Sequence, residues 1–268
     1  MIRAMAAPNA MAPSTLEPRD VPMAASRVHA VDAQTMLDID HIATEQIGLG
    51  LLQMLENAGR ELAQLTRRAL GGSAAGRSVV VLAGTGNNAG GGLAGARHLA
   101  GWGAKVLVAF ARPVRRLRPG PCAQLEPAIA AGVQTAVSGH DLSHRDLADA
   151  VSHAYAVIDA LVGYSLRGAP DDAYRSLIEI TIHAKGPVIS LDVPSGIDAS
   201  TGARPGVAVA ADMTLALGLP KRGSTVGEGL RHSGSLYLAD IGIPRSVYER
   251  LAIDDLPNFT NGPLLRLE

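Results

Sequence analysis

Asn87 and Asn88 are adjacent amides inside a glycine-rich stretch, Gly84-Thr85-Gly86-Asn87-Asn88-Ala89-Gly90-Gly91-Gly92. Glycine lets backbone N–H groups close on an anion, and the N-terminus of a following helix adds partial positive charge. Asparagine tolerates left-handed backbone and carries both donors and an acceptor. The pair can therefore shape the loop, hold a ribose or phosphate, or ligate a cation. The stretch is only a loose cousin of the dinucleotide fingerprint, since the step from Gly86 to the next glycine is four rather than three. It also lacks the Gly-Lys-Ser/Thr end of a P-loop.

Two carboxylates stand at the ends of apolar runs further on. Asp159 closes one and leads into Leu161-Val162-Gly163-Tyr164-Ser165-Leu166-Arg167-Gly168. Asp192 closes another and leads into Val193-Pro194-Ser195-Gly196-Ile197-Asp198. A lone Asp at a strand end caps helices or forms turns as often as it does chemistry. Two of them on the rim that carries a phosphate-type loop argue that at least one is functional. Gly218-Leu219-Pro220-Lys221-Arg222-Gly223 follows a later run. Four arginines lie within 112–118, either as a solvated loop or as a clamp on substrate phosphates.

These residues need a frame. Val79-Val80-Val81-Leu82-Ala83 reads as a parallel strand buried on both faces. Residues 93–100 have helical spacing, which makes 84–92 the loop between strand and helix. Strands are expected at 105–110, 133–137, 155–160, 188–192, 212–217 and 235–240, with helices at 121–131, 144–152 and 171–184 between them. That alternation predicts an α/β fold, a doubly wound, mostly parallel Rossmann-like sheet in three αβα layers. Two leading helices, 31–43 and 51–70, precede it. Gly59 inside the second marks close packing. Ligands of such sheets sit beyond the strand carboxyl ends, which places both aspartates and the glycine stretch on one rim. The expected organisation is a disordered leader at 1–27, a single domain at 28–256 and a C-terminal tail at 257–268.

Composition narrows the classes. Lysine and arginine number 24 against 25 acidic residues, so no basic surface speaks for nucleic acid. No apolar run reaches membrane-spanning length, and 1–25 lacks the apolar core of a secretory signal, which makes the cytoplasm the default location. Cys122 is the single cysteine; it excludes an internal disulfide and reads as a small buried or half-buried hydrophobe. The eight histidines are scattered, without metal-ligand spacing. Aromatic residues are 3% of the chain, so the core must be aliphatic.

Four ordered segments, Gly84–Gly92, Asp159–Gly163, Asp192–Gly196 and Pro220–Gly223, resemble the motifs of the NAD(P)H-hydrate epimerases, the YjeF N-terminal domain family. Asn57-Ala58-Gly59 and Asp240-Ile241-Gly242-Ile243-Pro244 fit as well, and the likeness covers about residues 30–245. The resemblance implies an isomerase that interconverts the R and S epimers of C6-hydrated NADH and NADPH, so that a separate dehydratase can act on the S form. It implies substrate contacts at Asn87, Asn88, Ala89, Gly90 and Gly91, at Gly163, Tyr164, Ser165, Leu166, Arg167, Gly168 and Ala169, and at Asp192. It implies a potassium ion on Asn88, Asp159 and Ser195, and a homodimer through the leading helices. Two positions depart from the family pattern: Gly91 replaces an Asp and Ala89 a Gly. Asp192 then remains as the acid/base group, and its loss should cost rate with little unfolding. The alternative is a catalytically impaired nucleotide-binding or protein-interaction module on the same fold.

Overall fold

The computed structural model describes residue 18 and residues 20–267, so the leader expected over 1–27 lies mostly outside the described residues. Among the described residues, seven parallel strands make the sheet: β1 Ser78–Ala83, β2 Lys105–Phe110, β3 Gln134–Val137, β4 Ala156–Ala160, β5 Val188–Leu191, β6 Met213–Leu217 and β7 Ser235–Ala239. An eighth, β8 Leu264–Arg266, joins antiparallel to β7. The order is β3-β2-β1-β4-β5-β6-β7-β8. The chain thus starts in mid-sheet, builds outward through β2 and β3, then crosses back to build outward through β4 to β7. The reversal between β1 and β4 is a topological switch point, where a crevice opens beyond the strand ends.

Strict alternation along β1 explains why it sits at the centre. Val79, Val81 and Ala83 face one core, Val80 and Leu82 the other, and all five are fully buried. The first core is closed by α1 Ala33–His41, α2 Leu51–Ala69, α3 Asn87–Gly101 and α4 Pro119–Ala130. The second is closed by α5 His144–Ser152 and α6 Asp172–Ile180, through Leu147, Val151, Leu177 and Ile178. Sheet order and layers agree with the doubly wound α/β expectation, and the core is aliphatic apart from Phe110, Tyr237 and Tyr248.

Three details differ from the sequence expectation. Residues 87–92 are not loop: α3 begins at Asn87, and only Gly84-Thr85-Gly86 links it to β1. The glycines here serve packing. A Cβ at Gly92 would lie 2.5 Å from Ala160 Cβ, and one at Gly90 would lie 2.7 Å from Leu55 Cδ1. Gly59 of α2 answers them, since its Cβ would lie 2.4 Å from Ala94 Cβ. The two helices approach so closely because the contact is made by glycines and Ala94, with Gly59 against the backbone of Gly91 and Gly95. Second, Leu264–Arg266, within the expected tail, is the edge strand β8; it covers the outer edge of β7. The short helices α7 Gly227–Ser233 and α8 Arg245–Arg250 were also not foreseen, being too brief for a clear period. Third, Cys122 is exposed rather than buried. Among the described residues, no helix is long and apolar enough to cross a membrane.

Candidate functional site

A cleft of about 790 Å³ opens at the switch point. Its floor is built from strand ends. β1 delivers Thr85 and then the N-terminus of α3, whose N-cap, Gly86, provides no side-chain bond. The first N–H groups of a fifteen-residue helix are thus turned toward the cleft beside Asn87 and Asn88. β4 delivers Gly163, Tyr164 and Ser165; β5 delivers Asp192; the loop after β6 delivers Lys221. Arg118, at the N-cap of α4, lines the rim.

Asp192 is turned inward by its backbone. Its φ of 73° lies in the left-handed region, which aspartate tolerates better than most residues. Its Oδ2 accepts from the Tyr164 N–H at 2.9 Å, and its Oδ1 lies 2.5 Å from Lys221 Nζ. Lys221 is only 1% exposed, yet its ammonium also donates to the carbonyls of Leu217 at 2.8 Å and Leu219 at 3.1 Å. Two carbonyls and one carboxylate oxygen thus surround the ammonium, which offsets the cost of burying it. A buried ion pair loses several kcal/mol when one member is removed. The expectation that Asp192 could be replaced with little unfolding is therefore corrected: it is 2% exposed and is the counter-ion of a buried cation.

Asp159 is the neighbouring case. It is fully buried, and its partners are neutral. Ser195 Oγ donates to its Oδ1 at 2.6 Å and the Leu161 N–H at 3.2 Å; Ser190 Oγ and the Ser195 N–H each donate to its Oδ2 at 2.8 Å. Burial raises the carboxyl above the ordinary range, opposed by these hydrogen bonds. Ser195 Oγ also accepts from the Val162 N–H at 2.9 Å, which pins the Val162-Gly163 backbone. A Cβ on Gly163 would sit 2.7 Å from Asp192 Oδ2 and 3.4 Å from Asn88 Oδ1. Glycine alone lets those side chains meet over this peptide. Asn88 is held from behind by its Nδ2, which donates to the Leu191 carbonyl at 3.2 Å. Asn88, Asp159, Asp192 and Ser195 therefore converge around one short backbone segment. Asn88 Oδ1, the Asp159 carboxylate and Ser195 Oγ are an all-oxygen set with one carboxyl group and, among the described residues, no cationic partner. That chemistry fits a hard monovalent cation.

The remaining expected contacts divide. Asn87, Asn88, Gly91, Gly163, Tyr164, Ser165 and Asp192 line the cleft, whereas Ala89 and Gly90 are buried within α3 outside the lining. Leu166, Arg167, Gly168 and Ala169 run on beyond it. Of the arginines at 112–118, Arg112 is paired with Asp171 at 2.6 Å, and Arg118 lines the cleft. Gly91 faces Leu191 and Ala58. A Cβ there would lie 2.9 Å from Leu191 Cδ2, so an aspartate at 91 would require that flexible side chain to move. Asn57-Ala58-Gly59 gains a separate role for each residue: Asn57 Nδ2 donates to the Ile241 carbonyl at 3.1 Å, Ala58 lines the cleft, and Gly59 packs on α3.

Two residues went unassigned in the sequence. Lys221 was quoted only inside a motif; a lysine just past a strand end, on the rim already identified, was the available signal. Asp40 lies within the first leading helix, 31–43, with no local signal of its own. It is half-buried at the cleft, and the Tyr164 hydroxyl donates to its Oδ2 at 2.5 Å. The segment before α1 is fixed to the Lys221 loop by Val31 N–H to Pro220 O at 2.9 Å and Arg222 N–H to Val31 O at 2.7 Å. Burial raises the Asp40 carboxyl, against the Tyr164 hydrogen bond and the Lys221 charge. Burial, then Asp40, also raise the Tyr164 phenol, so it remains a proton donor.

Residues 51–223 match the family described as YjeF-related protein N-terminus. The chain is 40% identical over 247 residues to an NAD(P)H-hydrate epimerase of Dehalogenimonas lykanthroporepellens, covering 88% of this chain and 92% of that protein. It is 32% identical to an NAD(P)H-hydrate epimerase of Leuconostoc mesenteroides, covering 80% of this chain and 90% of that one. A bifunctional NAD(P)H-hydrate repair enzyme of Thermofilum pendens is 34% identical; the match takes in 84% of this chain but only 42% of that longer protein. The crystal structure of yeast ynu0 superposes with a TM-score of 0.75 at 23% identity, covering 90% of this chain and all of the yeast chain, which shows a shared fold. By this extent of agreement, the chain belongs to the YjeF-related N-terminal family.

Proposed function

We propose that this chain is an NAD(P)H-hydrate epimerase, an isomerase that converts the R form of C6-hydrated NADH or NADPH to the S form. The observation that carries the reading is the buried Asp192–Lys221 pair, set in a cleft beside the exposed N-terminus of α3. The helix terminus and Arg118 suit a diphosphate. Asp192, held ready by Lys221 and the Tyr164 N–H, suits proton transfer at the C6 hydroxyl. The similarity to epimerases of nearly the same length points the same way. Asn88, Asp159 and Ser195 would hold a potassium ion, which would supply positive charge near the substrate's phosphates. The S product would pass to a dehydratase. A cytoplasmic location and a homodimer through the leading helices, where Leu37, Ile47 and Leu52 are exposed, complete the proposal.

The impaired-module alternative is not favoured. Gly91 removes a carboxylate at one position, but Asp192 and its lysine are in place. The test is to mix purified protein with the R epimer and a dehydratase, with and without potassium. Consumption of the R form well above its spontaneous rate is the expected result. Nucleotide binding without acceleration overturns it.

A further inference from the structure

Inversion at C6 by loss and re-addition of water asks for proton transfer on both faces of the ring, and a single carboxylate can serve only one. Two further carboxylates line the cleft: Glu45, which is exposed, and Asp40, which is half-buried and tied to the floor of the site. Asp40 and Asp192 line the same cavity, and Tyr164 ties them together: its backbone N–H donates to Asp192 Oδ2 at 2.9 Å and its hydroxyl to Asp40 Oδ2 at 2.5 Å. The carboxylates are thus held about the length of one tyrosine apart, and both line the cleft alongside that side chain. Their surroundings are unlike. Asp192 carries a lysine counter-ion, whereas Asp40 has no ammonium or guanidinium of its own among the described residues. Lys221 lies over the Tyr164 ring at 5.6 Å and acts on Asp40 only at a distance. Asp40 Oδ1 takes no hydrogen bond among the described residues. One carboxyl with a cation beside it and one without suits the pair to opposite directions of proton transfer.

Building on the proposed function, we infer that Asp40 is the second acid/base group of this site, serving the face of the nicotinamide ring opposite Asp192, with Tyr164 aiming it. In the forward direction protonated Asp40 gives its proton to the C6 hydroxyl. The C6–O bond breaks, its electron pair leaves with the oxygen as water, and the N1 lone pair closes an N1=C6 bond. Water then adds to C6 from the other face, the N1=C6 pair returns to N1, and Asp192 takes the proton the water loses. One proton has passed from Asp40 to Asp192, and it is restored by exchange with solvent.

The experiment uses the full chain in water enriched in oxygen-18, with each epimer supplied separately and label at C6 read by mass spectrometry against a protein-free control. The unchanged protein should interconvert the epimers with one solvent oxygen gained per turnover. Asp40→Asn and Asp192→Asn should each slow interconversion about 100-fold or more. Each should retain label exchange into one epimer only, and the two variants should retain it in opposite epimers. A merely structural role for Asp40 would not produce that reciprocity. Tyr164→Phe, which leaves both carboxylates in place, should slow exchange of the epimer that Asp40 serves about tenfold and spare the other. The inference is overturned if Asp40→Asn stays within threefold of the unchanged protein. It is equally overturned if both carboxylate variants keep or lose exchange in the same epimer, or if Tyr164→Phe slows both alike. An unchanged protein that does not interconvert the epimers overturns the proposed function instead.

Discussion

Asp159 and Asp192 invite comparison. They stand at the carboxyl ends of adjacent parallel strands, Asp159 as the penultimate residue of β4 and Asp192 just past β5, and each is almost wholly buried. Yet Asp159 is surrounded by two serine hydroxyls and two backbone N–H groups, all neutral, while Asp192 faces a buried ammonium. The first is a charge whose balance is distributed or left to an added ion; the second is a charge already balanced. Asp159 lies within β4 and Asp192 one residue past β5, on a left-handed turn, so the difference comes from that turn and from what the next strand and its loop deliver. β5 and its loop supply Ser190 and Ser195 to Asp159. The loop after β6 supplies Lys221 to Asp192.

The strongest way to break this contrast is to remove the cation. Lys221→Met should leave Asp192 buried without a counter-ion and cost about 3–5 kcal/mol of stability. Denaturant unfolding would measure it, and turnover should fall at least about 100-fold. A variant of unchanged stability would mean that the pair is not what holds the Asp192 loop.

Asp159→Asn should act differently. Its amide nitrogen would face donors where an oxygen now accepts, costing about 1–3 kcal/mol. Potassium should raise the melting temperature of the unchanged protein more than sodium does, and this increment should vanish in the variant while persisting in Lys221→Met at its lower baseline. Equal potassium responses in the unchanged protein and Asp159→Asn would sink the cation assignment.

The smallest effect belongs to Ser190→Ala, which removes one of four donors to Asp159. A loss of about 0.5–1.5 kcal/mol is expected for one hydrogen bond, since three donors to the carboxyl remain. Turnover should stay within a few-fold, because Ser190 lies behind the cleft wall and does not line it. A collapse of activity in this variant would show that the two aspartates form a single unit.

Much of this frame is legible in the chain. Val79 to Ala83, the alternation of strands and helices, and the rule that ligands gather beyond strand ends were enough to place Asn88, Asp159, Asp192 and Ser195 on one rim. The glycines were legible as a signal but not as a cause. Their spacing suggests a phosphate loop, whereas at 90–92 they make room for Leu55, Leu191 and Ala160. Lys221 and Asp40 carried little local signal, since a lysine in a loop and an aspartate on an amphipathic helix usually face water.

The sequence by itself determined the α/β class, the doubly wound order of elements and the rim on which chemistry could gather, because hydrophobic periodicity and glycine content act between near neighbours. Only the tertiary structure decided that Lys221 neutralises Asp192, that Tyr164 links Asp192 to Asp40, 124 residues before the tyrosine, and that Asp159 has no cation of its own among the described residues. Charge pairing at such separations depends on sheet register, on a left-handed turn at Asp192 and on how a leading helix docks. None of these is written in any local window of residues.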